Sequence, residues 1–275
     1  MITGYQSKKY ANSLAEFGEI KTLPYSQAFV IKNNEKLESL YSLFCPRFFN
    51  SSTLCNDIAI LQTDKRVKAL HLYTDPLLNI NLINLNEIFD EVVIDKECYI
   101  INFNEPLVFS HNSWDNVRNF ARSGYSVEQR TLNPINRYDY ADLFYDLYKK
   151  LIKRNSITGI ACFSESSFRK QLEVPGLVMF EVKDKRSGLP VAIRSFYIHD
   201  NNAYYHLAAQ NHKAYGISAS HAIVYEAIMH FKQLGLDHLV LGGAIKGSSK
   251  TGLASFKAGW ANETKNSLYL RKELC

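Results

Sequence analysis

Between residues 177 and 210 the chain reads LVMFEVKDKRSGLPVAIRSFYIHDNNAYYHLAAQ, three runs of β-branched and aromatic residues broken at DKRSG and at HDNN. Strand formers bounded by turn residues in this way predict a three-strand meander. Upstream, Tyr140, Phe144, Leu147, Tyr148 and Leu151 recur at the spacing of one helix face within NRYDYADLFYDLYKKLIKRN (136–155). ESSFRKQLE (165–173) fits a shorter helix, and YSVEQRTL (125–132) reads as a strand before both. Ser113 is placed to cap a helix over WDNVRNFARSG that Gly124 would end. Downstream, SASHAIVYEAIMHFKQLG (218–235) predicts a long helix with Ser218 or Ser220 as N-cap and Gly235 just past its end. HLVL (238–241) is a buried strand, TGLASFKAGW (251–260) a short helix and NSLYLRK (266–272) a last strand.

The first hundred residues alternate short pieces. QAFVIK (27–32) and CYIINF (98–103) are strand-like, whereas NEKLESLYSLF (34–44) places Leu37, Leu40, Tyr41 and Phe44 at helical spacing. Polar residues near position 50 predict a loop. No chemical motif falls in this part. Two units are expected: an α/β region over 1–112 that covers or shapes a site, and a second unit over 113–275 that carries it.

Composition narrows the class. With 275 residues, 46% hydrophobic and 13% aromatic, the chain has ample material for a packed core. The formal charge is +5, and from Gln210 onward eight lysines and arginines face four acidic residues. Such a region suits an anionic ligand (a CoA, a nucleotide or tRNA) or is simply a solvated basic face. Cys45, Cys55, Cys98, Cys162 and Cys275 show no ligand-like spacing, so reduced thiols in a cytoplasmic protein are expected. The start, MITGYQSKKYANSL, lacks the apolar stretch of a signal peptide, and no apolar run approaches the roughly 18 residues of a membrane span. No H-E-x-x-H, Cys/His cluster or carboxylate triad suggests a metal, and no G-x-S-x-G elbow is present. The aromatics are not interleaved with cations as a nucleic-acid stacking surface requires, so DNA is not an expected partner.

LVLGGAIKGSSKTG (239–252) comes close to a phosphate-binding G-x-x-x-x-G-K-[ST] loop. Taken from Gly242 and Gly247, however, the lysine position holds Ser248, and Lys246 and Lys250 are out of register. Only 23 residues follow Gly252, too few for further strand–helix units. A better anion site is HLAAQNHKAYGISASHAI, where Lys213, Gly216 and Ser218 precede the long helix. Glycine permits a tight turn, and the helix start offers free N–H groups and its positive dipole end. The same residues also fit a plain turn. His206, sharing a strand face with Tyr204 and Ala208, titrates in the range a general base needs, or is a structural histidine. Glu181 and Tyr205 are further candidates. Arg194, flanked by apolar residues in VAIRSFY, needs a partner: a substrate carboxylate or phosphate, or Glu181.

The C-terminal half resembles a GNAT-fold acyltransferase, whose pyrophosphate loop has the pattern [Q/R]-x-x-G-x-[G/A] at this strand-to-helix junction. Here Lys213 replaces Gln/Arg and Ser218 replaces Gly/Ala, and lysine keeps the charge without the guanidinium fork. Residues 113–275 are more specifically similar to the FemAB-like branch, through AYYHLAAQ, the helix ending in LG, LVLGGA and GLASFKAGW, the last matching G-L-x-x-F-K-x-x-[FW]. The resemblance implies an α/β fold with a GNAT-like mixed, mostly antiparallel central sheet flanked by helices. It leaves open whether the N-terminal half is a degenerate copy. It implies acyl-CoA, acetyl-CoA foremost, as co-substrate at Ala208, Ala209, Gln210, Lys213, Tyr215, Gly216, Ile217 and Ser218, with no metal. Lys257 then stabilises the oxyanion of the tetrahedral intermediate, the alternative being a helix-surface lysine. Phe256 and Trp260 are packing residues, and Arg194, Tyr205, Gly242 and Gly243 adjoin the acceptor. In this scheme the glycine pair is the exit from a strand, and GSSKTG leads flexibly into the helix presenting Lys257. The expected reaction moves an acyl group to an amine or hydroxyl of a small molecule such as an amino sugar or amino acid. The alternatives are aminoacyl transfer from tRNA, against which stand the lack of a coiled-coil arm and the modest basicity, and a non-catalytic acyl-ligand-binding protein.

Overall fold

The computed structural model describes residues 2–33, 39–42, 51–78, 82–133, 135–159, 162–245 and 251–274. In chain order these hold α1 (Lys8–Ser13), β1 (Gly18–Thr22), β2 (Phe29–Asn33), β3 (Ser39–Ser42), α2 (Ser51–Leu61), β4 (Ala69–Tyr73), α3 (Leu82–Ile88) and β5 (Glu91–Asn102). There follow α4 (His111–Ala121), β6 (Tyr125–Arg130), α5 (Arg137–Asn155), α6 (Glu165–Gln171), β7 (Leu177–Asp184), β8 (Pro190–His199) and β9 (Asn202–Gln210). Next come α7 (His212–Gly216), α8 (Ala219–Gln233), β10 (His238–Ile245), α9 (Thr251–Ala258) and β11 (Glu263–Glu273).

The strands form one 11-stranded sheet in the order β1-β2-β3-β4-β11-β5-β10-β9-β8-β7-β6. Adjacent strands run antiparallel except for β3–β4 and β9–β10. The architecture is thus α/β with a mixed, mostly antiparallel sheet flanked by helices, as the sequence leads one to expect. β11, last in the chain, lies between β4 and β5, and β5 in turn pairs with β10. Alternation along the meander sorts its side chains to two faces. Phe180, Val182 and Ala192 pack with Ile223, Ala227 and Phe231 of α8. Met179, Ile193 and Tyr197 pack with Phe144 and Tyr148 of α5 and Phe168 of α6.

Three local expectations need correction. Residues 39–42 are a strand, not part of a helix: Leu40 is fully buried opposite Leu70 of β4, and Tyr41 stacks on His71 at 4.4 Å. Tertiary pairing here overrides a helical spacing that was local; Leu37 and Phe44 lie outside the described residues. The cap of α4 is Ser110, whose Oγ accepts from the Ser113 amide, while the Ser113 hydroxyl donates to the Gly259 carbonyl at 3.1 Å. The helix ends at Ala121 rather than at Gly124. By contrast Gly235, at φ +70°, follows α8 as expected. Residues 246–250, the middle of the glycine-rich near miss, lie outside the described residues.

Candidate active site

β9 and β10 pair over three residues only, His238 with Asn202, Leu239 with Ala203 and Val240 with Tyr204. Beyond Tyr204 each strand follows its other neighbour: β9 stays on β8 to Gln210, and β10 stays on β5 to Ile245. Both carry a bulge at the parting point. Leu241 is the extra residue between Val240 and Gly242, and His206–Leu207 together oppose Ser195. A bulge bends and twists its strand, so the two strands diverge and leave an opening between 205–210 and 241–245.

Lys257 of α9 reaches the β10 side of this opening. It is buried (9% exposed), and its Nζ donates to the Gly243 carbonyl at 3.1 Å. The glycine pair is not the exit from β10 but an interior part of it. Gly242 has a left-handed φ of +80°, and a Cβ there would stand 3.3 Å from Lys257 Nζ. Gly243 is excluded from bearing a side chain for a different reason: a Cβ would meet that of Lys96 at 2.6 Å. Burial lowers the Lys257 ammonium to about 8, opposed by the Cys98 thiol and reinforced by Lys96. Burial likewise raises Cys98, which Ser267 and Lys257 pull back. Phe256 packs edge-on against His221 at 4.8 Å and Trp260 is fully buried, so both are packing residues.

At the far end of β9 the expected glycine turn is a short helix, α7, capped by Asn211 through the Ala214 amide. Gly216 closes α7 without left-handed backbone; Ser218 takes that role, at φ +58°. Ser218 stands at the N-cap of α8, yet its hydroxyl donates to Asn116 Oδ1 at 2.6 Å instead of capping. Lys213 and Tyr215 are exposed, and Arg154 lies over the Tyr215 ring at 4.5 Å. Ile217 is half-buried between the two helices.

Arg194 and Glu181 do not meet. Arg194 is opposite Phe180 in the β7–β8 register and shares its face, whereas Glu181 is on the other. The Arg194 guanidinium, 5% exposed, donates to Gln210 Oε1 at 2.9 Å, Ser220 Oγ at 2.6 Å and the Ile193 carbonyl at 3.1 Å. It therefore sits under the first turn of α8 with no carboxylate partner among the described residues. Tyr205 adjoins it; burial raises that phenol and Arg194 opposes the shift.

Each expected base is engaged with other groups. The β9 bulge leaves Tyr204 and His206 together against Tyr5 but takes Ala208 off their face: Leu207 and Ala209 join the α5 side, and Gln210 turns to α8. His206 is half-buried, stacked on Tyr197 at 4.4 Å, with Nδ1 3.0 Å from the Tyr5 hydroxyl and Nε2 2.8 Å from Gln171 Oε1. Burial pushes it down to about 3. Glu181 is held by the Tyr140 hydroxyl at 2.7 Å and Lys183 at 3.0 Å. Three strand spacings separate β7 from β10, roughly 14 Å at about 4.8 Å each.

A pair the sequence did not reveal stands where the strands part: Tyr204, the last residue paired across to β10, donates to buried Asp75 at 2.7 Å. Asp75 follows β4 with no motif around it, and only the fold brings it 129 positions along the chain to Tyr204. Among the described residues there is no cluster of three or more acidic, His or Cys side chains placed to hold a metal ion, and no helix is long and apolar enough to cross a membrane.

Several solved structures share this architecture. FemX superposes with a TM-score of 0.71 at 14% identity, over 97% of this chain and 92% of that one. The fold is FemX-like. The C-terminal domain of a proposed lysylphosphatidylglycerol synthetase from Agrobacterium fabrum gives 0.70 at 12% identity, over 95% and 86%. L-PGS from Bacillus licheniformis gives 0.66 at 14%, over 99% and 94%. No family model matches the sequence, and no curated protein matches it.

Proposed function

We propose that the chain is an acyltransferase that holds an acyl group between β9 and β10 and passes it, by direct attack, to an amine or hydroxyl of a small molecule such as an amino sugar or amino acid. The observation that carries this is the position of buried Lys257 at the point where the two strands diverge. Acyl-CoA, acetyl-CoA foremost, is the proposed donor. Its pantetheine amides match the free strand edges, and its pyrophosphate is suited to the start of α8, where Arg194, Gln210 and Ser220 meet. As the nucleophile attacks, the carbonyl oxygen gains charge and the Lys257 ammonium, aimed at it, stabilises that charge. The carbon–sulfur bond then breaks, and CoA leaves as its thiolate, which takes a proton from solvent to become the thiol. His206 and Glu181 take no part, and the proton of the nucleophile passes to solvent. In this scheme 113–275 supplies the transfer site and 1–112 contributes Asp75, Lys96 and Cys98 beside it, in a cytoplasmic protein.

Likeness to a lysylphosphatidylglycerol synthetase, a protein named for an aminoacyl lipid, favours a second donor: an aminoacyl group carried on tRNA. Calorimetric titration with acetyl-CoA and with aminoacyl-tRNA separates the two, and mass spectrometry of an acceptor panel reads transfer. Saturable binding of acetyl-CoA with product formation is the expected result. Binding without transfer would mark a non-catalytic acyl-ligand-binding protein, and failure of both donors to bind overturns the proposal.

A further inference from the structure

At the β6 edge of the sheet, on the face that packs α5 and α6, lies a cavity of about 300 Å³. Gln129, Arg130, Thr131, Arg137 and Glu173 line it. Its β6 edge is four strand spacings from β10, and it is independent of the acyl-transfer proposal.

The two arginines are the unusual feature. Each has its Nε buried without a hydrogen-bond partner, and among the described residues neither guanidinium makes a hydrogen bond or ion pair. Arg130 is fixed from one side by the Tyr140 ring, 5.2 Å from its Cζ. Arg137 is the first residue of the 19-residue helix α5, where the positive end of the helix dipole disfavours a cation. Glu173 is the carboxylate on the cavity wall; its Oε1 accepts from the Tyr138 hydroxyl at 3.2 Å and leaves an excess of positive charge. Two like charges at one concavity, with orphaned donors and an opposing dipole, conflict with local stability unless an anion completes them.

We propose that this cavity is a second binding site, for a small molecule bearing a phosphate or carboxylate group. The planar guanidinium forks match either oxyanion bidentately, and the volume is at the lower end of small-molecule sites, roughly 300–1,000 Å³.

Arginine Nε–Hε signals in ¹H–¹⁵N spectra of the whole protein test this without any substitution. Titration with inorganic phosphate, and separately with acetate, is compared with chloride at equal ionic strength. The Arg130 and Arg137 signals should shift saturably with at least one anion, and the tighter arm tells a phosphate ligand from a carboxylate ligand. The Arg130→Gln/Arg137→Gln double variant should bind that anion at least tenfold more weakly, Arg130→Lys less so, and Arg66→Gln, at an exposed arginine paired with Asp64, as well as the parent. Shifts no larger than those with chloride, or binding kept in the double variant, would overturn the proposal.

Discussion

The Lys257 ammonium and the Gly243 carbonyl, 14 positions apart, are joined by a 3.1 Å hydrogen bond that closes the β10–α9 corner beside the parted strands. The bond exists because Gly242 has no side chain where the lysine passes. Gly242→Ala should cost about 1–2 kcal/mol for the left-handed backbone alone and displace a flexible Nζ, so turnover falls further than stability does. Gly243→Ala must instead separate β10 from β5, because Lys96 Cβ and the Glu97 carbonyl cannot give way cheaply. A loss of roughly 1–3 kcal/mol is expected. Urea denaturation of both variants, alongside acyl-transfer rates, checks the contrast; equal effects on stability would contradict it.

Lys257 is buried at the expense of stability, and its pH behaviour has a definite sign. With the folded-state value near 8 against 10.5 unfolded, the unfolded chain binds more protons between those limits, so stability rises with pH across that window. Lys257→Met should therefore unfold at higher urea than the parent at pH 7, by on the order of 1–3 kcal/mol, while turnover drops about 10²–10³-fold. In the parent, turnover that depends on the ammonium falls as pH climbs past about 8. A rate that rises there instead would make Lys257 a base.

The fold was largely legible because its strongest signals are local: the α5 face, the meander and the Gly235 stop after α8 depend on residues close in sequence. The closeness of Gly242 and Gly243 to Lys257 was legible because their motif is local. A bulge, which has no sequence signature here, took Ala208 off the face that Tyr204 and His206 still share against Tyr5. The Glu181–Arg194 pairing failed on strand register, and Asp75 was invisible because it meets Tyr204 only through the fold.

His206 makes the molecule sensitive to acid. Burial holds its folded-state value near 3 against 6.5, so from neutral pH downward the unfolded chain takes up the proton first and stability falls. The slope is about 1.4 kcal/mol per pH unit between pH 6.5 and 3. His221, His230 and His238 are also lowered by burial and add to it. Below about pH 4.5 exposed carboxylates held down by basic partners, such as Asp64 and Asp90, join in. His206→Gln should flatten the pH 5–6.5 portion of a urea-midpoint profile without moving the pH profile of turnover. A turnover limb that vanishes in this variant would restore His206 as the base.

The hydrogen bond from Tyr204 to Asp75 stands where β9 and β10 part. Val240 is the last β10 residue paired with β9, and Tyr204, Val240 and Ile100 pack as one small buried cluster on that face. Removing the phenolic oxygen takes a donor from a buried carboxylate whose other oxygen accepts from the Leu77 amide at 2.9 Å. Tyr204→Phe should cost roughly 1–3 kcal/mol. Asp75→Ala removes the acceptor and the loop contact together, so its own cost mixes two effects. The double-mutant cycle isolates the pair, with an expected coupling of about 1–2 kcal/mol. Loosening this point also widens the opening, so Tyr204→Phe should raise KM for the acyl donor more than it lowers kcat. Coupling near zero, with donor KM unchanged, would show that the bulges alone hold the strands apart.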